Sequence, residues 1–142
     1  MSAKQDGGPT GIGLIADDDI RMRKAIRLMV QDLAREIFEA ADGRTAIEIY
    51  FCKKPDWVTL DLAMSPVDGL AALREIMARD PKARIIIVTA YDTPAFREAA
   101  GRAGACAYVL KEDLSKIRDA ITSLPGQEII KVTVNKTYLP PK

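Results

Sequence analysis

Histidine is absent from the 142 residues of this chain. That absence excludes Ser-His-Asp and Cys-His catalysis, histidine metal triads and phosphohistidine chemistry in one step. Cysteine is scarce. Cys52 and Cys106 are the only two, and no metal-ligand spacing links them, which argues against both a disulfide scaffold and a thiolate zinc site. No apolar run approaches the ~20 residues that a membrane-spanning helix needs. The opening MSAKQDGGPT lacks the apolar stretch of a signal peptide, so residues 1–10 read as a disordered leader and the cytoplasm is the expected compartment. An excess of base is missing too: 21 Lys and Arg face 20 Asp and Glu, for a net charge of +1. A dedicated nucleic-acid surface would carry clustered positive charge, so neither direct nucleic-acid binding nor membrane attachment is expected. The chemistry left available runs on carboxylates, hydroxyls and amines.

What is present is an ordinary globular composition, 48% apolar and 29% charged in 15.6 kDa, which is enough for one domain with its own core. After Thr10, short apolar runs alternate with helical periods. The runs are Ile12–Ala16, Glu36–Ala40, Trp57–Leu60, Ile85–Val88 and Ala107–Leu110. Between and after them, apolar residues recur at helical spacing: Met22, Ile26, Met29, Val30 and Leu33; Ala46, Ile47, Tyr50 and Phe51; Leu70, Leu73, Ile76 and Met77; Phe96, Ala99, Ala100 and Ala103; Leu114, Ile117, Ala120 and Ile121. Thr93-Pro94 is an N-cap followed by a first-turn proline, and Gly104 is placed to stop that helix. Strand then helix, five times over, predicts an α/β fold: one doubly wound (βα)5 domain whose five-stranded parallel sheet has the flavodoxin-like order 2-1-3-4-5. Beyond a Pro125-Gly126 breaker, Ile130, Val132 and Val134 alternate with polar residues. The expected division is a leader over 1–10, the domain over 11–124 and a tail over 125–142 that holds a short extra strand.

Functional groups of such a sheet gather at the carboxyl ends of its strands. Those ends carry Asp17, Asp18 and Asp19 after strand 1, Asp61 after strand 3, Thr89 after strand 4 and Lys111 after strand 5. Strand 2 ends in Ala40-Ala41 and is expected to contribute nothing. Crowded carboxylates repel unless a cation joins them, and Mg2+ is the hard ion that takes such oxygens. A bound Mg2+ beside a free carboxylate, with a hydroxyl and an ammonium facing it, is equipped for phosphoryl transfer. Each residue also has a plainer reading. Asp19 suits a helix N-cap with favourable charge against the dipole. Thr89 alone could be a β-branched strand end, and Tyr108 and Trp57 could fill core. Arg21, Arg23 and Lys24, like Lys53-Lys54, read as solvated helix faces.

The motifs ADDDIRMR, PDWVTLDLAMSPVDGL, VTA and AYVLK, four in order at strand ends, resemble those of response-regulator receiver domains of two-component signalling, over roughly residues 11–124. The resemblance implies that Asp61 is the phosphoacceptor and that Asp17 and Asp18 hold Mg2+ together with Asp61 and the backbone carbonyl of Ala63. Thr89 and Lys111 would meet the phosphoryl oxygens, and Tyr108 stands at the family's aromatic switch position. The implied partners are a sensor histidine kinase or phosphotransfer protein as donor and a downstream protein or output domain. A homodimer through helix 4, strand 5 and helix 5 is a further implied contact. The chain departs from the family pattern at Met64-Ser65-Pro66, where the proline is displaced by one, and at Glu112, where the family has proline. A cis bond before Glu112 would cost about 3 kcal/mol, so trans geometry or visible strain is expected there. The helix from Ala95 through Gly104 is rich in Ala and Gly and is expected to be held loosely, so that Tyr108 can swing inward beneath it on phosphorylation. Two competing readings remain: a Mg2+-dependent phosphohydrolase and a pseudo-receiver that only binds partners. Aspartyl phosphatases of the haloacid-dehalogenase type need a second aspartate where this chain has Ala63, and pseudo-receivers typically lack the acceptor or the acidic pair.

Overall fold

The computed structural model describes residues 11–123. The expected leader over 1–10 and the tail strand at Ile130, Val132 and Val134 lie outside the described residues. Five strands, β1 (Ile12–Ala16), β2 (Glu36–Ala40), β3 (Trp57–Leu60), β4 (Ile85–Thr89) and β5 (Ala107–Leu110), alternate with α1 (Ile20–Val30), α2 (Gly43–Lys53), α3 (Gly69–Arg79), α4 (Pro94–Ala103) and α5 (Lys116–Thr122). The strands form one sheet in the order β2-β1-β3-β4-β5, and every pairing is parallel. That is the predicted flavodoxin-like topology.

Alternation along each strand splits the core into two layers. Leu14, Val58, Leu60, Ile85 and Ile87 face α2, α3 and α4 and pack with Tyr50, Leu73, Ile76 and Ala100. Ile15, Trp57, Ile86 and Val88 face α1 and α5 and pack with Ile26, Val30, Ile117 and Ile121. Four helices begin on a side chain that accepts a first-turn amide: Asp19 from Arg21, Asp42 from Thr45, Asp68 from Ala71 and Thr93 from Phe96. Such caps satisfy amides that the helix itself cannot, each contributing about 1 kcal/mol. Gly104 ends α4 where the sequence places it. Among the described residues no helix is long and apolar enough to cross a membrane.

The register aligns the functional strand ends. Ala16 pairs with Leu60, so Asp17 and Asp61 lie side by side one step beyond the last pair. Thr89 pairs with Leu110, which leaves Lys111 next along β5. The displaced proline is accommodated in a loop whose Ser65–Pro66 bond is cis, and Asp68 caps α3. The bond before Glu112 is trans, and Lys111–Asp113 make a single 3-10 turn.

Trp57, 3% exposed, is core as the sequence suggests, and it lies across β1 at Gly13. A Cβ there would stand 2.2 Å from the indole ring, far inside van der Waals contact. Gly13→Ala is therefore expected to cost about 1–3 kcal/mol through overpacking. In a Trp57→Leu background the same change should cost markedly less. Urea denaturation of the double-mutant cycle measures the coupling, and an equal cost in both backgrounds would contradict it.

Candidate functional site

Asp17 and Asp61 leave adjacent strands almost without solvent contact, at 0% and 3% exposure. Their amides complete the sheet ladder, Asp17 N–H donating to the Ala40 carbonyl and Asp61 N–H to that of Ala16, each at 3.0 Å. The backbone thereby delivers two carboxylates into one small volume. Asp18 is exposed at its rim, and one oxygen from each of Asp17, Asp18 and Asp61 falls within 4.8 Å of the other two. Lys111 closes the cluster from β5. Its Nζ is 3.0 Å from Asp61 Oδ2 and 2.9 Å from Asp17 Oδ2.

Charge balance is incomplete. Burial pushes the Asp17 carboxyl above its ordinary value, and the nearby Asp61 charge adds to this, while the Asp19 amide and Lys111 oppose it. Burial also weighs against the Lys111 ammonium, yet its two carboxylate partners outweigh that and raise its pKa. Asp17 Oδ1 accepts the Asp19 amide at 2.9 Å. Asp17 Oδ2 is buried and, despite its ion pair, has no partner at hydrogen-bond geometry. That oxygen is met by the Lys111 ammonium alone, at 2.9 Å, and the same ammonium also serves Asp61. The three hard carboxylates of Asp17, Asp18 and Asp61 form a donor set that fits Mg2+. A cleft of about 300 Å3 opens over them, lined by Asp18, Asp19, Asp61, Ala63, Tyr91 and Lys111. The Ala63 amide donates to Asp61 Oδ1 at 3.3 Å.

The loop after β3 is packed tightly against Asp61. A Cβ on Gly69 would lie 1.9 Å from the Asp61 carbonyl oxygen, so the start of α3 rests directly on the backbone of Asp61 and only glycine fits.

Thr89 is fully buried, and its Oγ1 accepts the Tyr91 amide at 3.4 Å. Tyr108 already points inward at 3% exposure. Its hydroxyl donates to the Tyr91 carbonyl at 2.7 Å, and burial raises its pKa to about 12. The two expected switch residues thus meet through the backbone of Tyr91. Sequence reading passed over Tyr91, whose signal is its place two residues after Thr89. It also misjudged α4. Arg97 is only 5% exposed; its guanidinium lies 4.8 Å above the Tyr108 ring and its Nε donates to Asp92 at 2.7 Å. That stacked cation is a bulky contact between α4 and β5 that the Ala and Gly content of the helix does not suggest. Of the expected solvated face of α1, Arg21 and Lys24 are exposed and Arg23 is not. Arg23 turns inward, donating to the Asp17 carbonyl at 2.7 Å and to Glu39 at 2.8 Å. Strand 2 therefore does reach the site, through Glu39. Lys53 and Lys54 are exposed as expected.

Residues 14–122 match the family model of the response regulator receiver domain. The chain belongs to that family. It is 40% identical over 99 residues, 69% of its length and 83% of the relative's, to the chemotaxis protein CheY of Listeria monocytogenes. Among solved structures it is similar to a LuxR-family two-component response regulator from Aurantimonas sp. SI85-9A1, with TM-score 0.80, 30% identity and coverage of 90% of this chain and 94% of that one. It is also similar to the CheX–CheY–BeF3–Mg2+ complex from Borrelia burgdorferi, with TM-score 0.75, 29% identity and coverage of 82% and 90%. As a receiver domain, the chain is a phosphoacceptor of two-component signalling.

The contact beneath Asp61 gives a direct test. Gly69→Ala must push α3 away from the Asp61 carbonyl. It should cost about 1–3 kcal/mol in denaturant, and a crystal structure of the variant should show the Lys111–Asp61 ion pair displaced. Wild-type stability with an unmoved ion pair would contradict the reading.

Proposed function

We propose that this receiver takes a phosphoryl group from a partner histidine kinase or phosphotransfer protein onto Asp61. The observation that carries this is the ion pair of Lys111 with Asp61, set beside Asp17 and Asp18 in one cleft. Asp61 is the nucleophile: Oδ attacks phosphorus in line, the bond from phosphorus to the donor atom breaks, and an acyl phosphate forms. Asp17, Asp18 and Asp61, with the carbonyl of Ala63, would hold Mg2+, which when bound would neutralise charge on the transferring group. Lys111 leaves its bond to Asp61 and pairs with a phosphoryl oxygen, a charge-assisted contact stronger than a neutral one. Thr89 turns its hydroxyl to a second oxygen. Ala63 holds no proton-transferring group where an aspartyl phosphatase needs one, which supports a switch over a turnover enzyme.

The signal leaves through Tyr91 and Tyr108. Drawing Thr89 Oγ1 toward the phosphoryl group, as a donor, pulls on the Tyr91 amide that it accepts, and the Tyr91 carbonyl carries the Tyr108 hydroxyl. Movement of that loop shifts the ring and the Arg97 stacked on it, and so the face made by α4, β5 and α5. That face meets the downstream protein or output domain, or a second copy of the chain, in the cytoplasm. Coupling of this kind is typically worth about 1–3 kcal/mol.

Two experiments check the reading. With Mg2+ and a small phosphodonor, the chain should gain one phosphoryl group that is labile to hydroxylamine, and Asp61→Asn should abolish it with the fold intact. A label mapped to Thr89 or another hydroxyl, or multiple turnover, would overturn the assignment. For the switch, amide shifts with and without a beryllofluoride mimic should change across 89–110, and Arg97→Ala should shrink those in α4. Changes confined to 62–70 would rule out the Tyr91–Tyr108 route.

A further inference from the structure

Asp17 is held on more sides than its place at a strand end requires. Its N–H is bonded to the Ala40 carbonyl and its Oδ1 to the Asp19 amide. Its carbonyl oxygen accepts from Arg23 Nη1 at 2.7 Å. With those three groups fixed, the atom left without a hydrogen-bond partner is Oδ2, the oxygen that faces Lys111. Arg23 is itself anchored. Its Nε meets Glu39 Oε1 at 2.8 Å, while Arg27 Nε takes the other oxygen, Oε2, at 2.7 Å. Arg27 also donates to the Ile37 carbonyl at 3.1 Å. Two arginines one turn apart on α1 are thus clamped by a single carboxylate of β2, and burial does not loosen the clamp, because the paired guanidiniums hold the Glu39 carboxyl below its ordinary value against the cost of desolvation. The Arg23 side chain is 14% exposed, so the contact sits largely out of reach of competing water.

From this geometry we propose that Arg23 and Glu39 are positioning residues of the metal centre: the Glu39–Arg23 clamp fixes the Asp17 backbone and thereby aims Asp17 Oδ2 at Mg2+. The inference rests on the reading of Asp17, Asp18 and Asp61 as a Mg2+ site. It has a sharp alternative. If Arg23 acted only through its charge, it would repel a divalent cation, and removing it would tighten binding. If it acts by orientation, removing it loosens binding, as partners of metal ligands do when lost, by about 10- to 100-fold. The two accounts predict opposite signs.

The test is Mg2+ affinity measured by calorimetry on the whole chain, with Arg23→Ala, Arg23→Lys and Glu39→Gln. Positioning predicts about a 10-fold or greater loss for Arg23→Ala. Arg23→Lys keeps the charge but loses the planar fork that reaches both partners at once, so it too should lose affinity. Glu39→Gln keeps an acceptor for Arg23 and should fall between wild type and Arg23→Ala. With a small phosphodonor, the Mg2+ concentration for half-maximal labelling should rise in Arg23→Ala while the rate at saturating Mg2+ is kept. A merely structural residue would lower the melting temperature without that split. Unchanged or tighter Mg2+ binding in both Arg23 variants would overturn the proposal. If Arg23→Ala fails to fold, Arg23→Lys decides it alone. Absence of Mg2+ binding by wild type would overturn the metal reading itself, and this inference with it.

Discussion

Two carboxylates, Asp17 and Asp61, are carried into the protein interior by adjacent strands and share one ammonium, Lys111. That unequal balance is the constraint on which the rest of the site depends. Two negative charges at the edge of a buried sheet repel across a low-dielectric gap, and a single lysine cannot satisfy both at good geometry. The fold does not remove the conflict; it preserves it. The ladder bonds of the Asp17 and Asp61 amides hold the backbones, Gly69 lets α3 rest on the Asp61 carbonyl, and Arg23 pins the carbonyl of Asp17. What remains is Asp17 Oδ2, buried and facing only the shared Lys111 ammonium, beside a cleft lined by Asp18 and Asp61.

Under the proposed function, the same tension would carry a local chemical event to a distant face. A phosphoryl group on Asp61 would release Lys111 from its carboxylate and claim the Thr89 hydroxyl. The Thr89 oxygen accepts the Tyr91 amide, and the Tyr91 carbonyl accepts the Tyr108 hydroxyl. The path from the cleft to α4 is therefore a short series of named hydrogen bonds ending in a cation stacked on a ring. Packed elements with two arrangements respond in this way, where a soft one would absorb the movement.

Much of this was legible in the sequence because it is written in local patterns. Five aliphatic runs with helical periods between them determine the sheet order, since right-handed crossovers leave few alternatives. Asp17, Asp18, Asp61, Thr89 and Lys111 stand at strand ends, and register brings the three aspartates and Lys111 together. Asp19 was recognisable as a cap from its place before α1. The rest depends on contacts that no local pattern reports. Arg23 looks like any arginine on the polar side of an amphipathic helix; only the pairing of β2 with β1 puts Glu39 within its reach. Arg97 hides among alanines, and its partner, Tyr108, comes from the next strand. Tyr108 is already turned inward because its hydroxyl finds a backbone carbonyl, and backbone acceptors leave no mark in sequence. Gly69 is visible as a glycine, but its reason, a carbonyl oxygen 1.9 Å from the missing Cβ, is purely three-dimensional.

The central claim is that the acidic cluster is a site of stored repulsion that a divalent cation relieves. Thermal unfolding of the metal-free chain, with and without millimolar Mg2+, tests it most directly. A ligand that binds only the folded state adds about 2.7 kcal/mol at a concentration 100 times its Kd. The account predicts a clear rise in Tm for the wild type and loss of most of that rise in Asp18→Ala. A melting curve unmoved by saturating Mg2+, or the same rise in both proteins, would contradict it.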